Sequence, residues 1–174
     1  MATIESSASI DAAKFAAYQN GSYHADREGI LDRRHRIMMF LVIALGTTSV
    51  VGPFGPLVQT YSGVVTALIG AVDLAFGFSI RARNHAYLRK EYFRIAAALA
   101  SRKCKPLDAE AKMMELAADE EPIFMAAHAI AENWAMKAVY GDSKPLPCEV
   151  GWLRRQFRHL FLMTDVNFST KKKK

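Results

Sequence analysis

The stretch "GAVDLAFGFSIRAR", Gly70 to Arg83, places a single carboxylate, Asp73, in a run that otherwise carries no charge before Arg81. Its setting makes it unusual. From Ile37 to Val72 no side chain is formally charged, and past Asp73 the apolar character resumes to Ile80. The run divides at "GPFGP", Gly52 to Pro56, into "IMMFLVIALGTTSVVG" (Ile37–Gly52) and "YSGVVTALIGAVDLAFGFSI" (Tyr61–Ile80). Each is close to the ~20 residues that cross a bilayer as a helix at about 1.5 Å per residue, the first marginally short. Gly52, Pro53, Gly55 and Pro56 form helices poorly and turns well, so the two segments are expected to make a tight antiparallel transmembrane hairpin. A buried soluble hairpin is the competing reading, and soluble cores seldom need two such long uncharged helices.

The flanks set the orientation. "RRHR" (Arg33, Arg34, His35, Arg36) precedes the first segment, Arg81 and Arg83 follow the second, and residues 52–61 between them carry no charge. Lys and Arg close to a span stay cytoplasmic, so a multi-pass protein with both termini in the cytoplasm is expected. A secretory signal peptide fits poorly, because the apolar run lies behind a mixed-charge segment and ends at no small-residue cleavage site. The organisation reads as cytoplasmic N-terminal helices (1–36), a two-span hairpin (37–80) and a cytoplasmic helical region with a basic tail (81–174). The net charge of +6 owes much to the juxtamembrane arginines and the terminal "KKKK". That favours anionic lipid head groups as partner over nucleic acid. Cys104 and Cys148 fall in segments assigned to the reducing cytoplasm, lack metal-ligand spacing and read as free thiols.

The polar remainder reads as helix almost throughout, with "GDSKPLPCEVG" (Gly141–Gly151) as a loop, giving an all-α fold with a cytoplasmic helical bundle. "SIDAAKFAAYQNG" has Asp11 near a helix start and Asn20-Gly21 as a stop, with a second helix from about Tyr23 into the first span. Leu88, Tyr92, Ile95 and Leu99 recur at steps of four and three, so the second span is expected to continue as one long amphipathic helix. Pro106 ends that pattern, and Asp108 is the expected cap of "AEAKMMELAADEE", broken by Pro122. Phe124, Ala127, Ala131, Trp134 and Ala138 make one helical stripe stopped at Gly141. "WLRRQFRHLFLM" is expected to be a basic helix.

The arginine cluster, the two apolar segments, "RARNHAYLRKEYFRIAAAL", "ADEEPIFMAAHAIAENWA" with its "EEP" turn, and Asn133 together resemble the SLATT effector domains of prokaryotic conflict systems. The resemblance covers about Tyr23 to Tyr140. It implies an inner-membrane effector that opens pores when an associated nucleotide-signalling system senses invasion, leading to cell arrest or death. No nucleotide synthase or sensor domain is recognisable here, so a second messenger would act on the cytoplasmic helices or through a partner protein.

An enzyme explains the residues less well. There is no Ser or Cys in an elbow-like context, no Gly-rich loop between strand and helix, and no His/carboxylate spacing of a zinc site, so no catalytic residue, metal or cofactor is assigned. His85 reads as solvated or interfacial, and His128 as a packing residue with one hydrogen bond. Asp119, Glu120 and Glu121 read as helix-end solvation before Pro122 more readily than as a cation site.

Within the second segment Gly63, Gly70 and Gly77 repeat every seven residues with Ala67 between them, a small-residue face for helix association and a homo-oligomer. Asp73 lies about 60° around the helix from Gly70, with Thr66 on the same flank, and about 10 Å inside the boundary at Ile80. Facing lipid it would cost ~2–3 kcal/mol. Three accounts stand open: Asp73 lines a polar path in an oligomer, pairs with Arg36, or is protonated and hydrogen-bonded to a neighbouring Ser or Thr. Two function classes follow, a pore-forming membrane effector and a membrane-anchored interaction module.

Overall fold

The computed structural model describes residues 2–51 and 55–159, with side chains described for 8–50 and 55–159. Its helices are α1 (Ala2–Val51), α2 (Pro56–Phe76), α3 (Phe78–Ala100), α4 (Pro106–Ala117), α5 (Met125–Tyr140) and α6 (Trp152–Gln156), with a 3₁₀ turn at Gly141–Ser143. No strand occurs among the described residues, in accord with the all-α expectation. Gly52 and Pro53 of the expected turn, and Leu160, Phe161 and the terminal lysines of the basic segment, lie outside the described residues. The chain forms two compact units, Met1–Asp26 with Ala86–Lys174, and Arg27–His85.

In the first unit, Ala13 and Ala17 of α1 pack with Leu88, Tyr92, Ile95 and Leu99 of α3 and with Ala109 and Met113 of α4. The α3 positions are those that four- and three-residue spacing selects, because such steps keep side chains on one face. The N-terminal helix therefore shares a core with α3 and does not form a separate layer. Asn20-Gly21 does not stop the helix, since α1 runs through both. Gly21 is needed for room: a Cβ there would meet the Phe93 ring at 3.1 Å. Packing against the half-buried Phe93 ring overrides the helix propensity lost at glycine.

Other boundaries differ in the same way. Lys105 precedes α4, Pro106 opens it, and Asp108 sits in its first turn instead of capping it, which suits a helix that begins on proline. Arg102, at φ 54°, takes the left-handed position after α3, where Lys103 N donates to Ala98 O at 2.9 Å and closes the helix end. On α5 the buried face is Ala127, Ala131 and Ala135, whereas Trp134 is 63% exposed and Ala138 is exposed. Small residues let α5 approach Tyr23 of α1 closely, so the expected stripe is displaced from Trp134 and Ala138. Asn133 clamps the loop beyond α5: its Nδ2 donates to Cys148 O at 2.8 Å, and Cys148 N donates to its Oδ1 at 3.1 Å.

The second unit is built on an antiparallel pairing of α1 with α2 and the start of α3. Leu31 packs with Phe78 and Ala82, His35 meets Asp73, and Ser49 Oγ donates to Gln59 O at 3.2 Å. Residue numbers fall on one helix as they rise on the other. On α1 the inward positions are 31, 35, 38, 42, 45 and 49, a spacing of four and three that keeps one seam on one partner. The compact unit is wider than residues 37–80 because Leu31 and Ala82 extend the seam at its open end.

Candidate functional site

The outer surface of the second unit is apolar and bare. Phe40, Ile43, Leu57 and Leu74 are among many large apolar side chains left exposed. Among the described residues, one helical stretch, Pro56–Ala100, contains a run long and apolar enough to cross a membrane, and only 6% of that run is buried within the structure. A contiguous apolar surface of this kind marks a face that meets a membrane or another protein.

The inner surface holds the ionisable pair. Asp73 on α2 projects into the seam and its carboxylate receives His35 Nδ1 at 3.0 and 3.1 Å, with side chains 27% (His35) and 16% (Asp73) exposed. Arg36 is not the partner. It lies one residue, about 100°, off the seam, is 78% exposed, and binds Asp32 at 2.8 Å on its own helix. Thr66 does not reach the carboxylate either; its Oγ1 donates to Ser62 O at 2.7 Å.

The glycines of the seven-residue repeat serve different purposes. A Cβ on Gly63 would stand 3.3 Å from Ser49 Oγ, so this position accommodates α1 of the same chain. Gly77 ends α2 with φ 56°, a left-handed conformation that L side chains adopt at a cost, and its N donates to Asp73 O at 2.9 Å. Gly70 has open space where a Cβ would be, and Ala67 is exposed. Arg33, Arg36 and Arg83 are exposed and Arg34 and Arg81 half-buried. Arg33, Arg34 and Arg36 adjoin His35 in sequence, and Arg81 and Arg83 lie about two turns or more beyond Asp73, toward the end of the unit where Leu31, Phe78 and Ala82 pack.

His35 was legible only as part of "RRHR". A further signal was present: His35 and Asp73 each stand nineteen residues from Phe54, and positions equidistant from a hairpin's turn meet across it.

Polar groups of the first unit are tied to structural partners. His24 Nε2 lies 3.1 Å from Glu120 Oε1 and its ring stacks on Tyr92 at 5.5 Å, while Tyr92 Oη donates to the same Glu120 oxygen. Glu120 of the "EEP" turn is thus tied to α1 and α3. His85, the last residue of the second unit and expected to be solvated or interfacial, is instead 1% exposed. His128, flanked by Gln19 at 3.4 Å, packs as expected, and burial lowers its affinity for a proton. Asp26 accepts from Arg158 Nε and Nη2, both at 2.7 Å, and lies 3.0 Å from His159 Nε2. Burial by itself would raise this carboxyl; the bonds from Arg158 and His159 outweigh it and hold Asp26 well below the usual carboxylate range. Cys148 is pushed up to about 12, by burial first and then by Glu132 Oε2 at 3.1 Å, so it is held as the thiol. No cluster of three metal-binding side chains occurs among the described residues.

No protein-family model, curated protein or solved structure matches the chain.

Proposed function

We propose that the chain is a multi-pass membrane effector whose two apolar segments cross the bilayer as a hairpin, associate in several copies and gate ion passage. The observation that carries this reading is the placement of His35 and Asp73 inside a helix pair whose outer face is apolar and exposed. Lipid solvates such a face, and a carboxylate within an apolar segment is tolerated where it faces protein or water, a placement that suits passage or gating. Arginines at one end of the unit support a cytoplasmic side for that end and for both termini. The resemblance to SLATT domains supplies the physiological setting, a nucleotide-linked defence response ending in permeabilisation of the inner membrane.

The test is ion flux from vesicles containing the purified chain. Wild-type protein should conduct, and Asp73→Asn, which keeps size and hydrogen-bonding capacity, should change the flux without loss of insertion. Silent wild-type vesicles would overturn the reading. The second reading, a membrane-anchored adaptor, is favoured by one observation: Asp73 has His35 and Gly63 has Ser49 within the same chain, so neither demands a second copy.

A further inference from the structure

The first unit carries two exposed surfaces for which the hairpin has no use. One is an open groove of about 880 Å³ bordered by Ala25 of α1 and by α3. Along α3 its residues Ala86, Lys90, Phe93 and Ala97 recur at steps of four, three and four, the spacing at which one helix seats another. The alanines leave space for a close approach. Arg89, Lys90 and Arg94 make the groove cationic; Arg94 also meets Glu91 on its own helix, an exposed pair of small energetic weight.

The other surface is the outer face of α4. Ala109 and Met113 are buried in the unit's core, but Leu107 and Met114 are 76% and 75% exposed. With Ala111 and Ala118, both exposed, they recur at steps of four, three and four. Glu110 and Glu115 flank this stripe at about 60–80° on either side, given 100° per residue. The result is an acidic amphipathic helix with an uncovered apolar stripe. Twelve residues of α4 span about 18 Å, and the groove from Ala86 to Ala97 about 17 Å, at ~1.5 Å per residue.

Spacing, length and charge therefore match, and the match cannot be realised within one chain, because α4's inner face is held in its own core. We propose that α4 of one copy docks in the α1/α3 groove of the next, with Glu110 and Glu115 meeting the cations Arg89, Lys90 and Arg94 that line it. The occupant is a second copy because the chain itself supplies the complementary helix at equal stoichiometry. The contact is heterologous, so each added copy presents a fresh groove and a fresh α4, and assembly closes as a ring or continues. This goes beyond the membrane reading: it concerns assembly through the first unit and is independent of ion flux.

The test uses the full chain in detergent micelles, with mass distribution measured by sedimentation at low and high salt. Lys90→Glu and Glu110→Lys, both at exposed positions, should each weaken association about tenfold, since each places like charges together. The double variant, with the charges exchanged, should regain most of it, and high salt should weaken the wild type. Circular dichroism checks that helicity is retained in all three. Unchanged assembly in the single variants, failure of the exchange to restore it, or a monomeric wild type would each overturn the proposal. Loss of binding to phosphatidylglycerol vesicles by Lys90→Glu, with assembly unaltered, would assign the groove to lipid head groups instead.

Discussion

His35 and Asp73 satisfy each other in a seam between apolar helices, so deleting one leaves the other's polar atoms facing groups that cannot replace it. His35→Ala should destabilise the folded chain by about 1 kcal/mol, the cost of a partly buried acceptor left without its partner. Arg36→Ala should cost no more than ~0.5 kcal/mol, because its contact with Asp32 is an exposed pair within one helix. Thermal unfolding in micelles separates the two, and equal losses would return the carboxylate to Arg36. At this scale the sequence was only half legible. The odd carboxylate could be recognised from composition alone, since charge inside an apolar run is expensive wherever it faces. Its partner could not be chosen by charge, because register decides which residue reaches it, and Arg36 points off the seam while His35 points along it.

The short α6 and the turn after it are fastened to α1 through Asp26, which grips both Arg158 and His159. A carboxyl whose folded value is depressed stabilises the fold above its ordinary value, near ~4, and that contribution is lost as pH falls through the folded value. Protection of residues 152–159 from hydrogen exchange should therefore persist through pH ~4 and fail only in stronger acid. Asp26→Asn should lose that protection already at neutral pH; protection that fades in step with ordinary carboxylates, or survives Asp26→Asn, would show that other contacts hold the segment. This fastening was beyond sequence reading, for its partners lie more than 130 positions apart. The α3 face was easily read because Leu88, Tyr92, Ile95 and Leu99 bury through local periodicity. Gly21 and Trp134 were misread for the opposite reason. Asn-Gly is a good stop by propensity and tryptophan a good core residue by hydrophobicity, but Phe93 requires the bare backbone at Gly21, and the close approach of α5 to Tyr23 favours alanine.

For the whole molecule, membrane orientation is the statement with the widest consequences, and the two cysteines report on it separately. If the arginine-flanked end of the second unit faces the cytoplasm, Cys104, beyond α3 and only half-buried, lies on that side as well. Cys148 behaves differently: it is buried, its amide and carbonyl are both held by Asn133, and its thiol is kept protonated. Alkylation needs the thiolate. In intact cells a membrane-permeant maleimide should modify Cys104 and leave Cys148 largely unmodified until the protein is denatured, while an impermeant maleimide should modify neither. Inverted membrane vesicles should expose Cys104 to the impermeant reagent. Because Cys148 reacts only on unfolding, its silence in each sample certifies that Cys104 was read in a folded chain. Modification of Cys104 by the impermeant reagent in intact cells, with Cys148 still silent, would place the first unit outside and reverse the orientation drawn from the arginines.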